Sequence, residues 1–76
     1  MNEYIAQVIK IVGSQSKLAD RVGVSQVSVS RWLYNKKKVS PRYVPALVKA
    51  SKGEIKPYQI RPDLPMLFPH PRKHPY

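Results

Sequence analysis

Between Gln26 and Arg31 the stretch QVSVSR holds side chains that can read the edges of nucleic-acid bases. A glutamine amide can pair bidentately with adenine, an arginine fork with guanine, and an apolar side chain can cover the methyl group of thymine. Gln26, Arg31 and Val27 supply those three types, and Ser30 adds a short hydroxyl. Each has a plainer use as well: Gln26 as a solvated first-turn residue, Val27 as a partly buried one, and Arg31 as a contact to phosphate, where most protein hydrogen bonds to DNA go. Lys36, Lys37 and Lys38 follow directly and suit either adjacent phosphates or a solvated loop. Gln15, Ser16, Lys17, Ser25, Ser28 and Asn35 complete the candidate contacts to a DNA backbone, the first three because free amides at a helix N-terminus attract phosphate.

Other chemistry finds little support. Asp20 lies inside the same helical pattern, both histidines sit near the C-terminus, and no nucleophile has a base partner. His70 and His74 have a spacing that a metal can use on a helix, but Pro71 and Pro75 oppose a helix and no third ligand is near. No enzyme activity, cofactor, metal or small-molecule substrate is expected.

The chain that must position these residues has 76 residues, with 14 Lys plus Arg against 4 Asp plus Glu, a net charge of +10, and no Cys. So short a chain makes one domain and buries little more than independent folding requires. Without cysteine there is neither a disulfide framework nor a zinc-thiolate site, so the core consists of packed side chains alone. No apolar run reaches the roughly 18 residues of a membrane span or resembles a signal peptide, which implies a cytoplasmic protein. The positive excess opposes compaction and points to a polyanionic partner, nucleic acid first.

Five of eight prolines fall within residues 62–76 and none within the first 40, so the chain divides into a body, 1–61, and a proline-rich tail, 62–76. In the body Ile5, Val8, Ile9 and Val12 share one helical face, with Asn2 as N-cap and Gly13 as stop. Ser14 caps a second helix with Leu18, Ala19 and Val22 on one face, and Gly23 ends it. Ser25 caps a third, where Val24 and Val29 form a hydrophobic staple and Val29, Trp32 and Leu33 face inward. Ser40 and Pro41 read as the N-cap and first position of a fourth helix with Val44, Leu47, Val48 and Ala50 inward. Pro45 interrupts it, so either its first turn is distorted or it starts at Pro45. Gly53 ends that helix, and 57–60 has room for one more turn. The expected fold is all-α: a small four- to five-helix domain with an extended proline-rich tail.

Two short helices joined by a three-residue turn containing Gly make a helix-turn-helix, here over residues 15–34. Small Ala19 sits where the helices cross, Gly23 takes the turn, and Leu18, Val22, Val24, Val29 and Trp32 fill the buried positions. The third helix would then enter the major groove with Gln26, Val27, Ser30 and Arg31 outward, and the second would lie across the backbone.

The stretch SQSKLADRVGVSQVSVSRWL resembles the helix-turn-helix of Cro-type phage repressors, which have the lambda-repressor-like fold. The later GEIKPYQIRPDL is similar to the ending of the related YdaS-like prophage regulators, with Arg61, Pro62 and Asp63 as its most discriminating piece. The likeness covers roughly residues 3–64. It implies a small dimeric repressor of phage or prophage genes that reads double-stranded DNA through its third helix, at Gln26, Val27, Ser30 and Arg31. Pro45 and the long tail depart from the family's pattern.

Leu64, Met66, Leu67 and Phe68 are apolar enough to dock on the body or on a second subunit, while 70–76 reads as a loose extended end. One reading helix covers too few base pairs to select an operator from a genome, so two copies on a palindrome are expected. Because each copy is strongly positive, the homodimer should be weak in solution and form fully on DNA. Two other readings stand beside the sequence-specific repressor. One is an antitoxin-like protein that captures a partner with its tail and autoregulates through DNA binding; the other is non-specific nucleic-acid packaging.

Overall fold

The computed structural model describes residues 1–70; the expected loose end beyond His70, with His74, Pro71 and Pro75, lies outside the described residues. Helix α1, Glu3–Val12, begins where the Asn2 side chain accepts hydrogen bonds from the amides of Tyr4 and Ile5, at 3.0 and 3.1 Å. Helix α2, Gln15–Val22, begins with the Ser14 hydroxyl accepting from the Lys17 amide at 3.1 Å, and α3, Gln26–Leu33, with the Ser25 hydroxyl accepting from the Ser28 amide at 3.2 Å. In each case a short polar side chain satisfies an amide that has no intrahelical carbonyl to meet. All three caps are the residues expected from the sequence.

Between α2 and α3 the chain turns at Gly23, whose φ of 84° lies in the left-handed region that a side chain resists. The amides of Gly23 and Val24 both reach the carbonyl of Ala19, at 2.8 and 3.0 Å, which closes α2 and fixes the start of the turn. Ala19 itself is buried.

The fourth helix shows how proline reshapes a start. Pro41–Tyr43 forms a 3-10 turn and α4 runs Val44–Ala50, because Pro45 lacks the N–H that an α-helix begun at Pro41 would need there. The Val44 amide instead donates to the Pro41 carbonyl, three residues back, and Pro45 falls in the first turn of α4, where a missing N–H costs nothing. Both halves of the sequence expectation thus hold in part: the first turn is distorted, and the α-helix starts one residue ahead of Pro45. The expected side-chain cap from Ser40 does not form; Ser40 instead accepts through its backbone carbonyl from Tyr43 at 2.9 Å. Helix α5, Pro57–Ile60, is the single turn anticipated before Arg61.

Helix α1 lies against α2, α3, α4 and α5, while α2 packs on α3 and α4, and α4 on α5. Ile5, Val8, Leu18, Val29, Val44 and Leu47 are fully buried in one cluster with Trp32 and Leu33 at its edge. Three further core residues, Val39, Ile55 and Ile60, come from the connections and the short last helix. Ser51, at the end of α4, is the buried polar residue; its hydroxyl donates to the Val48 carbonyl at 2.7 Å and accepts from the Ile55 amide at 3.1 Å, so the turn toward α5 is held from within. Among the described residues there is no strand, and no helix is long and apolar enough to cross a membrane.

Candidate nucleic-acid interface

Helix α3 has two unlike sides. At 3.6 residues per turn, Gln26, Ser30, Val27 and Arg31 follow one another across an arc of about 140°, and Val29, Trp32 and Leu33 share the other side. The burial pattern matches: the second group is buried, Gln26, Val27 and Arg31 are exposed, and Ser30 is half-buried. Val27 is 58% exposed, an apolar side chain left in water between polar neighbours. The five-residue step from Gln26 to Arg31 advances about 7.5 Å along the axis, close to two base-pair steps of a DNA duplex.

The start of α3 is tied up locally. Ser25 and Ser28 share a hydroxyl–hydroxyl contact of 3.1 Å besides the cap itself, so both have intramolecular work. At the other end, Asn35 takes a φ of 59°, and the amides of Asn35 and Lys36 return to the carbonyls of Trp32 and Arg31 at 3.3 and 2.8 Å. This left-handed closure favours glycine or asparagine, so Asn35 has a conformational reason to occupy its position. It also turns the chain so that Lys36, Lys37 and Lys38, all exposed, follow directly from the end of the helix. At the start of α2, Gln15 is half-buried, Ser16 and Lys17 are exposed, and the Lys17 amide is already taken by Ser14.

Two features near α3 escaped the sequence reading. The Asn2 amide donates to the Leu33 carbonyl at 2.6 Å, so the residue that caps α1 also anchors the end of α3. Arg42, exposed on the 3-10 turn, holds its guanidinium 5.5 Å from the centre of the Tyr43 ring, which in turn lies 5.9 Å from the Trp32 ring. A cation stacked on an aromatic face keeps its orientation better than one on a free stem. The only signal in the sequence was an Arg-Tyr pair after a proline, which has no distinguishing spacing.

The Arg61-Pro62-Asp63 triplet forms a latch. The Arg61 guanidinium donates through Nε and Nη2 to the two Asp63 carboxylate oxygens, both at 2.9 Å, and through Nη1 to the Val39 carbonyl at 2.7 Å. Lys38 Nζ lies 3.1 Å from the same carboxylate. The triplet therefore pins the loop that leaves α3 to the chain that leaves α5. The Arg61 fork, followed by Lys38, holds the Asp63 carboxyl well below the usual carboxylate range, and Asp63 in return raises the Arg61 guanidinium above its ordinary value. A carboxylate whose folded pKa is depressed contributes stability above its unfolded pKa, about 3.9, and loses it as pH falls toward the folded value. Asp63→Asn is accordingly expected to lower the melting temperature at pH 7, with the gap to the unsubstituted chain closing below about pH 4. Thermal melts followed by circular dichroism from pH 7 down to pH 2 check this; a gap that stays constant to pH 2 would show that the charge is not what Asp63 contributes.

The four apolar residues after the latch part company. Phe68 is half-buried against the core cluster and Leu64 is half-buried, whereas Met66 is 94% and Leu67 59% exposed. The His70 ring packs against Tyr58 in a tilted arrangement with ring centres 5.0 Å apart, and its Nε2 lies 3.1 Å from the Pro62 carbonyl. Among the described residues no group of three His, Asp or Glu could hold a metal ion.

What results is a small all-helical domain in which a buried core presents an exposed, largely polar helix face followed by a run of lysines. The chain belongs to the YdaS family: residues 5–66 match the family described as "Bacterial toxin YdaS". It is 33% identical over 63 residues to the protein named "Putative transcriptional regulator YdaS" of Escherichia coli strain K12, a match covering 83% of this chain and 64% of that relative. The chain thus spans somewhat under two thirds of the length of the curated relative. No solved structure matches it.

Proposed function

We propose that this protein is a sequence-specific DNA-binding transcriptional regulator, a Cro-like phage or prophage repressor, with α2 and α3 as its helix-turn-helix and α3 as the reading helix. The observation that carries this reading is the outward face of α3: Gln26, Val27, Ser30 and Arg31 lie together on it, Val27 exposed although apolar, and the lysine run emerges at its C-terminal end. In this reading Gln26 and Arg31 pair with base edges in the major groove, Val27 meets a thymine methyl and Ser30 adds a short polar contact. Gln15, Ser16 and Lys17 at the start of α2, Ser25, Ser28 and Asn35 at the ends of α3, and Lys36 and Lys37 of the lysine run face phosphates, with Arg42 as a further candidate, while Lys38, also a candidate by type, sits beside Asp63. Residues 1–61 form the DNA-binding body and 62–76 the tail. The relative's name, which speaks of transcriptional regulation, is consistent with this assignment.

A footprint of the full chain on the DNA flanking its own gene tests the proposal. A protected palindrome, bound at least about 10³-fold more tightly than random duplex, supports it. Equal affinity for both leaves only non-specific packaging.

The reading includes a homodimer on DNA, weak in solution, with the exposed Met66 and Leu67 as its contact. Since Phe68 packs on the core, cutting the tail off would disturb the body itself, and substitution is the cleaner probe. Met66→Ser with Leu67→Ser is expected to leave the melting temperature within a few degrees, because neither side chain is buried, while cooperative binding to the palindrome weakens. Analytical ultracentrifugation with and without operator DNA measures the second effect. Unchanged cooperativity would assign the exposed pair to another protein, as in the antitoxin-like reading.

A further inference from the structure

The lysine run after α3 is not electrostatically uniform. Lys38 lies 3.1 Å from the Asp63 carboxylate, whereas Lys36 and Lys37 have no ion pair among the described residues. Asp63 is itself immobilised: both oxygens are engaged by the Arg61 fork, whose third donor is anchored on the Val39 carbonyl, and the Arg61 side chain is only 13% exposed. A negative group thus stands at a fixed place beside the third lysine. It belongs to a chain with 4 acidic residues against 14 basic ones, and among the described residues it is the acidic group that forms ion pairs.

We propose that Asp63 withholds Lys38 from DNA, so that the run contributes two cations to phosphates, Lys36 and Lys37, and the third serves the latch. The inference rests on the reading of α3 as a DNA-binding element and assigns the charges at its flank. A phosphate approaching Lys38 must also approach the carboxylate, and the repulsion between the two anions offsets what the lysine would gain. The geometry favours the pair because the Arg61 bond to the Val39 carbonyl, next in the chain, keeps the Lys38 backbone close to the carboxylate. The latch then does more than join α5 to the loop: it limits sequence-independent attraction in a protein whose net charge of +10 would otherwise favour any duplex.

The salt dependence of binding counts neutralised phosphates, with a log-log slope of about −0.9 for each. Affinity for a random duplex is measured by fluorescence anisotropy across a range of salt for the full chain and for Lys36→Gln, Lys37→Gln, Lys38→Gln, Asp63→Asn and the Lys38→Gln, Asp63→Asn pair. Lys36→Gln and Lys37→Gln should each flatten the slope by about 0.9, and this arm reports on the DNA-binding reading itself. Lys38→Gln should leave the slope unchanged in the natural chain and flatten it by about 0.9 in the Asp63→Asn background, where the lysine is released. Flattening by Lys38→Gln in the natural chain overturns the proposal, because Lys38 then leaves Asp63 for phosphate. No effect in either background overturns it as well, because Lys38 is then merely out of reach. The first of these arms needs only the substitution of a side chain 73% exposed, so it stands even where Asp63→Asn disturbs the fold.

Discussion

Replacing Leu47 by alanine is expected to destabilise the domain by about 2–5 kcal/mol, enough to leave a sizeable fraction of the chain unfolded at physiological temperature. Leu47 is fully buried on α4, in the cluster that also takes Ile5 and Val8 from α1, Leu18 from α2 and Val29 from α3. A domain of this size has roughly 4–11 kcal/mol of total stability at about 0.05–0.15 kcal/mol per residue. Removing three carbons from its centre therefore cuts into a margin that no disulfide supports. The cavity is costly because its walls come from several helices at once, and none can close in without lifting from the others. Urea unfolding of Leu47→Ala beside Val48→Ala makes the comparison: Val48 is half-buried on the same helix, and its loss should be clearly smaller. Equal losses would show that the core can collapse onto the gap, and that Leu47 does not hold the helices apart.

The elements that could be read from the chain are those whose cause is local. Asn2, Ser14 and Ser25 cap helices through bonds to amides two or three residues away, and Gly23 turns the chain through its own φ, so spacing along the sequence carries the whole argument. The inward positions of α1, α2 and α3 repeat with the helical period and were equally legible. Val39 and Ile55 were not, because each is a lone branched residue in a connection, where no period marks it and only the closed structure buries it. No spacing in the sequence marked Ser51, yet its hydroxyl bridges Val48 to Ile55 inside the molecule. The latch was half legible: the Arg61-Pro62-Asp63 triplet carried the family resemblance, but its partners, Lys38 and the Val39 carbonyl, lie 25 and 22 residues away from it. Ser40 was misread for the same kind of reason. Its type and the following proline suit a cap, but the conformation was decided by Pro45, five residues on, through a hydrogen bond that could not be made.

The same division separates what was visible of the candidate interface from what was not. Gln26, Val27, Ser30 and Arg31 could be chosen by periodicity because, once Val29, Trp32 and Leu33 are turned inward, they are the positions of α3 left over besides Ser28 beside the cap. The distinction among Lys36, Lys37 and Lys38 depends on an acidic residue supplied from beyond α5, and that of Arg42 on an aromatic ring packed against Trp32. Residue type nominates a cation; the fold decides whether it is available.

On the proposed function, the double variant Gln26→Ala, Arg31→Ala is expected to lose about 2–6 kcal/mol of operator affinity per half-site, the sum of roughly 1–3 kcal/mol for each bidentate pair. At each half-site that corresponds to a loss between about 30-fold and about 2 × 10⁴-fold. Both side chains are exposed and neither has a hydrogen-bond partner within the described protein, so the loss should come with little change in melting temperature. Their separation of about 7.5 Å along the helix places them over different base pairs, so their effects should be nearly additive. Affinity for random duplex is the deciding comparison. Base readers removed from a basic helix leave the phosphate contacts in place, so non-specific binding should fall little, and by no more than the single charge of Arg31 accounts for. A selection for preferred sequences with each single variant then assigns the pairs: relaxed choice at one position per half-site for Gln26→Ala, and at another, about two base pairs away, for Arg31→Ala. If both variants weaken operator and random DNA alike, the outward face of α3 is a backbone contact, and sequence must be read elsewhere in the molecule.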